Sequence, residues 1–178
     1  MKKILLCFAC GIFLLSCNSD KENTAATATT DSTAKSTVDM PYTASYSSNF
    51  TTDISDADLK MVLMTYKDWE NNNMSGLEAG LADTVLVYFS TGDTVLLPKA
   101  GIIKLFTTFR DSLSSVKIDM GGWHKMYAPD KKDAFIVTWY DETDTYKNGK
   151  VDSASYHDIN QIKDGKIIWY AQYKRPKK

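Results

Sequence analysis

Two dipeptides near the C-terminal end, Asn148-Gly149 and Asp164-Gly165, constrain this chain more than any other feature. Each separates two runs rich in β-branched and aromatic residues. Asn-Gly and Asp-Gly in that setting signal a two-residue hairpin loop, because both central residues must take positive φ. "DAFIVTWYDETDTY", "VDSASYHDINQI" and "KIIWYAQYKR" are thus expected to form three consecutive antiparallel strands, with "VKIDMGGWHKMYA" as a fourth ahead of them. Side chains alternate between the faces of a strand, so the assumed loop lengths predict which residues share a face.

With two-residue loops, Trp139 would face Asp158, Val137 would face Asn160, Asn160 would face Trp169 and Tyr156 would face Tyr173. One face is then expected to carry Phe135, Val137, Trp139, Tyr156, Asp158, Asn160, Ile162, Ile167, Trp169, Ala171 and Tyr173. The other carries Ile136, Thr138, Tyr140, His157, Ile159, Gln161, Ile168, Tyr170 and Gln172. His157 and Asp158 are adjacent, so they point to opposite faces and form no catalytic pair. On the aromatic face Asp158 is the single acid, and desolvation there raises its pKa.

Ahead of the strands, "DISDADLKMVLMTYKDWENNN" reads as a helix. Ser55 caps it with Asp58 three residues on, and Leu59, Val62, Leu63, Tyr66 and Trp69 form its apolar stripe. "SGLEAGL" suggests a short second helix, "DTVLVYF" a strand, and "PKAGIIKLFTTFRDSL" a third helix with Pro98 near its start. Helices first and an antiparallel meander after them indicate an α+β domain over residues 53–178.

The N-terminal part has another character. Lys2 and Lys3 precede an uncharged apolar run, Ile4 to Leu15, too short to be a permanent membrane span and readable as a secretory signal. It ends in "LLSC", which resembles the lipobox of bacterial lipoproteins. That resemblance implies removal of residues 1–16 and lipidation of Cys17. With Asn18 next, it also implies an outer-membrane address in the cell envelope. Thirteen of the twenty residues from Asn18 to Thr37 are Ser, Thr or Ala, so residues 17–52 read as the lipidated cysteine and a flexible tether, with Tyr42, Tyr46 and Phe50 marking where it meets the domain. Cys7, Cys10 and Cys17 are the only cysteines, so the domain has no thiol for redox, nucleophilic or metal chemistry. Loss of Lys2 and Lys3 moves the net charge from −1 to −3, which offers no basic field for nucleic acid; "KRPKK" reads as a solvated tail. His124 and His157 lack metal spacing, and "DETD" (141–144) lacks the glycine and ligand spacing of a calcium loop and reads as a solvated hairpin arm. Neither a cofactor nor a metal is expected.

The order helix, short helix, strand, helix, meander, ending in "KDGKII", resembles the NTF2-like superfamily, in particular its SnoaL-like and ketosteroid-isomerase-like branches. The resemblance implies a cone, with about three helices on a strongly curved antiparallel sheet that encloses a pocket. Ketosteroid isomerases match at Tyr66 in "MTYKDW" and Asp158 in "HDINQIKDGKI", positions that the resemblance makes oxyanion-hole donors and candidate catalytic residues. Their general base would fall on Tyr88, a phenol unsuited to that role at neutral pH. The limonene-epoxide-hydrolase pattern needs an Arg where Tyr156 stands, and the SnoaL-type acid is missing from "QYKRP". The expected function is therefore a lipid-anchored pocket for a small, largely apolar or aromatic molecule, lined by Trp69, Tyr88, Trp139, Tyr156, Asn160, Trp169 and Tyr173. The alternatives are an isomerase, cyclase or dehydratase using Asp158 with Tyr66, and an interaction or homodimer module using the other sheet face around Ile136, Tyr140, Ile168 and Tyr170.

Overall fold

The structure, a computed structural model, describes residues 39–177. The signal segment, Cys17 and most of the Ser/Thr/Ala-rich stretch lie outside the described residues. Helix α1 spans Asp56–Glu70 and α2 spans Met74–Gly80. Ser55 caps α1 as expected: its Oγ accepts the Asp58 N–H at 3.0 Å and donates to the Asp58 carboxylate at 2.7 Å. Gly80 lets α2 lie close to α1, since a Cβ there would meet the Thr65 methyl at 2.6 Å. Among the described residues no helix is long and apolar enough to cross a membrane.

Strand β1 (Leu81–Tyr88) turns through Gly92, at φ 94°, into β2 (Thr94–Pro98), a five-residue edge strand that the sequence pattern merges with the helix after it. Pro98 ends β2 and caps α3 (Lys99–Arg110). The long strands follow: β3 Leu113–Ala128, β4 Asp133–Tyr146, β5 Val151–Lys163 and β6 Lys166–Pro176. Sheet order is β2-β1-β6-β5-β4-β3, with β1 parallel to β6 and all other pairs antiparallel. A bulge at Gly121–Gly122, opposite Trp139, helps bend the sheet around the helices. Three helices on a curved, open six-stranded sheet make an α+β domain, as expected.

The registers of β4 and β6 differ from the expected ones. Tyr146 pairs with Lys150 across three residues, Lys147-Asn148-Gly149, and only Gly149, at φ 85°, has positive φ. The loop is a three-residue hairpin ending in a left-handed glycine, an alternative that Asn-Gly serves equally well. One extra loop residue slides β4 by one position: Thr138, not Trp139, pairs with Asp158, and Tyr140 pairs with Tyr156. A one-residue slip exchanges the faces, so Ile136, Thr138 and Tyr140 turn inward while Phe135, Val137 and Trp139 turn outward. The Asp164-Gly165 loop does have two residues at positive φ, 51° and 69°. One step beyond it, however, β6 bulges: Ile162 pairs with Ile167 but Gln161 pairs with Trp169, leaving Ile168 extra. Past the bulge Tyr170, Gln172 and Lys174 face inward, and Trp169, Ala171 and Tyr173 outward.

The convex face consequently carries the aromatic residues expected inside. Trp139 stacks on His157 at 5.2 Å, His157 lies 5.9 Å from Tyr173, and Trp169 packs edge-on against Phe135 and Tyr88. Residues 46–51 run onto the domain before Asp53. Tyr46 packs on Phe135 and hydrogen-bonds Asp133, Ser47 donates to Asp130, and Thr51 bridges Tyr127 through two 2.8 Å backbone bonds.

Candidate functional site

Between the concave face and the helices lies a cavity of about 780 Å³. Its apolar walls come from β1 (Val85, Val87), α3 (Ile102, Phe106, Phe109) and α1 (Trp69). The sheet contributes Tyr140, Glu142, Asp144 and Tyr146 from β4, Tyr156 and Asn160 from β5, and Tyr170, Gln172 and Lys174 from β6. Trp69 stands edge-on to Phe106 at 6.0 Å and stacks on Phe109 at 6.1 Å; Tyr140 stacks on Tyr156 at 5.2 Å.

Asp158 lies behind this wall rather than on it, with 0% of its surface exposed. Its Oδ2 accepts hydrogen bonds from Tyr140 at 2.9 Å, Tyr66 at 3.1 Å and Tyr170 at 3.3 Å. A phenol has one proton, so Tyr66, having given its own to Asp158, accepts from the Thr138 hydroxyl at 2.8 Å and from the Asn160 amide at 3.1 Å. Asn160 also reaches the Ile136 carbonyl at 3.3 Å, and Gln172 donates to Tyr170 at 2.7 Å. One carboxyl thus joins α1, β4, β5 and β6. Among the described residues its Oδ1 has no hydrogen-bond partner. Burial pushes the Asp158 carboxyl up to about 7 although the three phenols pull the other way. Burial, reinforced by the Asp158 charge, lifts Tyr66, Tyr140 and Tyr170 well above the ordinary phenol value, so they remain neutral donors.

Of the residues expected in the site, Tyr66, Trp69, Tyr156 and Asn160 do line the cavity, and Asp158 buttresses it from behind. Tyr88, Trp139, Trp169 and Tyr173 do not. The slipped register puts Trp139 outside, 45% exposed, and the β6 bulge does the same to Trp169 and Tyr173. Tyr88, the candidate base position, borders a separate outer depression with Trp169 and Tyr173. Of the residues expected on an interaction surface, Ile136, Tyr140 and Tyr170 face inward through the same shifts, and Ile168 sits at the β6 bulge.

The register also overturns the reading of "DETD" as a solvated arm. Glu142 and Asp144 are 8% and 5% exposed and both line the cavity. Burial, the Asp144 charge and the Asp158 charge push Glu142 up to about 8, against the Trp69 indole and Lys174. Burial also raises Asp144, against Lys174 and Arg110. A perfect alternation of 138, 140, 142, 144 and 146 is present in the sequence, but the odd positions alternate equally well, and only loop length decides between them.

These raised carboxyls set the pH dependence of stability. Between the ordinary carboxyl range near 4 and about 7 to 8, the folded chain binds more protons than the unfolded chain, so stability falls as pH rises and levels off above about 8. A tenfold difference in proton affinity is worth about 1.4 kcal/mol, so the fall is on the order of a few kcal/mol. Urea unfolding from pH 5 to 9 should show it, and Asp158→Asn should make the slope shallower. A stability that climbs across this window would contradict the burial of these carboxyls.

No family model matches the sequence, and no curated protein matches it significantly. Solved structures match in fold. The chain is similar to an LEH-like epoxide hydrolase of M. tuberculosis (TM-score 0.56, 11% identity, 67% of this chain and 83% of that one). It is similar to an NTF2-like protein of unknown function from Burkholderia pseudomallei (0.56, 12%, 68% and 92%). It is also similar to a ketosteroid-isomerase-like protein from Catenulispora acidiphila in complex with trimethylamine (0.54, 12%, 64% and 84%). With the three helices, the strand order and the concave cavity, these likenesses show that the chain has the NTF2-like fold.

Proposed function

We propose that this chain is a lipid-anchored envelope protein whose NTF2-like cavity binds a small, largely apolar molecule. The observation that carries the reading is the cavity itself: about 780 Å³, walled by aliphatic and aromatic side chains with a few polar groups on the sheet side. Sites for small organic ligands have this size and character. A protein of similar fold is in complex with a small molecule, trimethylamine, which supports a small ligand here.

Binding is favoured over catalysis by where the protons are. An oxyanion hole built from Tyr66 and Asp158 needs donors free to meet a substrate oxygen. Tyr66 spends its proton on Asp158, as do Tyr140 and Tyr170. Tyr88 stands outside the cavity and supplies no base to it. Asp158 then serves to hold the polar wall of a binding site. The anchor rests on "LLSC" ahead of Asn18, with Cys17 as the lipidated residue and the outer membrane as the destination.

Each half of the proposal has its own test. The full chain grown with labelled palmitate should carry the label, and Cys17→Ser should lose it; a label that persists in Cys17→Ser removes the anchor. The chain from residue 18 onward should enhance the emission of N-phenyl-1-naphthylamine, a neutral apolar dye. Val87→Trp, which fills the cavity floor, should abolish the enhancement while circular dichroism shows the fold intact. Equal emission from both folded proteins would place the dye elsewhere and contradict the assignment.

A further inference from the structure

We infer that the ligand carries a positive charge: the cavity is built for an organic cation, an amine or quaternary ammonium group on an apolar body, seated between Glu142 and Asp144 and the aromatic wall of Trp69, Phe106 and Phe109. The inference rests on the reading of this cavity as a small-molecule site and names the class of molecule that fits it.

Three observations carry it. First, Glu142 and Asp144 are two residues apart on β4, so both project from the concave face, and both are more than nine-tenths buried while lining the cavity. Second, the acids have no cation at salt-bridge distance; Lys174 and Arg110 act on them from further away. Among the described residues no lysine or arginine forms a salt bridge with Glu142, Asp144 or Asp158. The two nearby cations are engaged elsewhere. Lys174 pairs with Asp152 at 3.3 Å and lies over the Tyr156 ring at 5.5 Å, and Arg110 donates to the Trp69 and Glu70 carbonyls, both at 3.2 Å. Among the described residues Asp144 Oδ1 is buried with no hydrogen-bond partner. Leaving a buried carboxyl oxygen unsatisfied is costly, and a small turn of the Asp144 side chain towards a cationic N–H donor in the cavity would relieve the cost. Third, the facing wall is aromatic. Trp69 and Phe109 lie parallel and Phe106 stands edge-on to Trp69, and all three line the cavity, where aromatic rings attract cations. Two acids and three aromatic rings lining one apolar cavity suit a positive charge attached to hydrocarbon. A bare metal ion suits them less, and among the described residues no three acidic, His or Cys side chains are grouped to hold one.

Seating a cation beside Glu142 requires that carboxyl to be ionised. The groups facing it are Asp144 on its own strand, Trp69 on α1, Asp158 and Tyr156 on β5, Tyr140 on β4, and Tyr170 and Lys174 on β6; Arg110 and Asp152 act on Asp144. Because acids outnumber bases here and burial raises them, Glu142 holds its proton at neutral pH, and cation binding must expel it.

The test is calorimetric titration of the full chain, as purified from cells, with three probes of one shape: 2-phenylethylamine, 2-phenylethanol and phenylacetate. The amine should bind about tenfold more tightly than the alcohol at pH 7, and phenylacetate should give no signal. Amine affinity should rise by up to about tenfold for each step of one in pH until Glu142 is ionised near 8. Two buffers of different ionisation heat, neither a free amine, should reveal proton release on amine binding. Glu142→Gln with Asp144→Asn should bring the amine-to-alcohol ratio towards one. Should those variants fail to fold, proton release by the unaltered chain decides the matter. An alcohol that binds as tightly as the amine, or amine binding without proton release, overturns the cation while leaving the small-molecule site standing. Failure of all three probes to bind overturns the site reading and the cation with it.

Discussion

The register of β4 and β6 against β5 is the constraint on which the rest of this molecule depends. A third residue in the loop before β5 and one extra residue in β6 each displace a strand by a single position. Because side chains alternate with period two, each displacement exchanges the buried and exposed sets wholesale. The two shifts act together. Thr138 and Tyr170 come to the concave side at the positions where Trp139 and Trp169 would have stood, and Tyr140 comes with them opposite Tyr156. With them come the acids at 142 and 144, while four aromatic residues that look like pocket lining move to the convex surface.

What converges on the concave side is a polar layer organised by Asp158. Three phenols from α1, β4 and β6 give it their protons, and Thr138, Asn160 and Gln172 complete the bonds of those phenols. A buried network of this kind is stabilising only when its members are satisfied, and here nearly all are. The exceptions are informative. Oδ1 of Asp158 and Oδ1 of Asp144 are buried without partners among the described residues, and desolvation outweighs hydrogen bonding in setting the proton affinity of Asp158. The layer turns a cavity that would otherwise be plain hydrocarbon into one with a directional, acidic side.

Much of this is legible in the residues. Ser55 and Asp58 mark the start of α1, the Asn run its end, and Asp164-Gly165 the last hairpin, all through local turn and cap chemistry. The meeting of Tyr66 with Asp158 is legible too, because the alternation along β5 keeps Tyr156, Asp158 and Asn160 on the inward face in either register. The faces of β4 and β6 are not legible. Asn-Gly serves two-residue and three-residue loops alike, and the choice here rests on tertiary context. The β6 bulge leaves no mark in "KIIWYAQY", since Trp169 and Tyr170 are equally plausible on either face. β2 is hidden because five residues ending in proline carry little strand signal beside the helix that follows.

Cysteine accessibility tests the register most directly, because Cys7, Cys10 and Cys17 are the only native thiols and can be replaced by serine. In that background Thr138→Cys and Trp139→Cys place thiols one residue apart on opposite faces. Thr138 is 0% exposed and does not line the cavity, whereas Trp139 is 45% exposed. Under native conditions a maleimide should label position 139 at nearly the rate of the unfolded chain and leave position 138 protected until the protein unfolds. Rapid labelling at 138 with protection at 139 would restore the two-residue loop, and the phenol cluster and the acidic cavity wall would both fall with it.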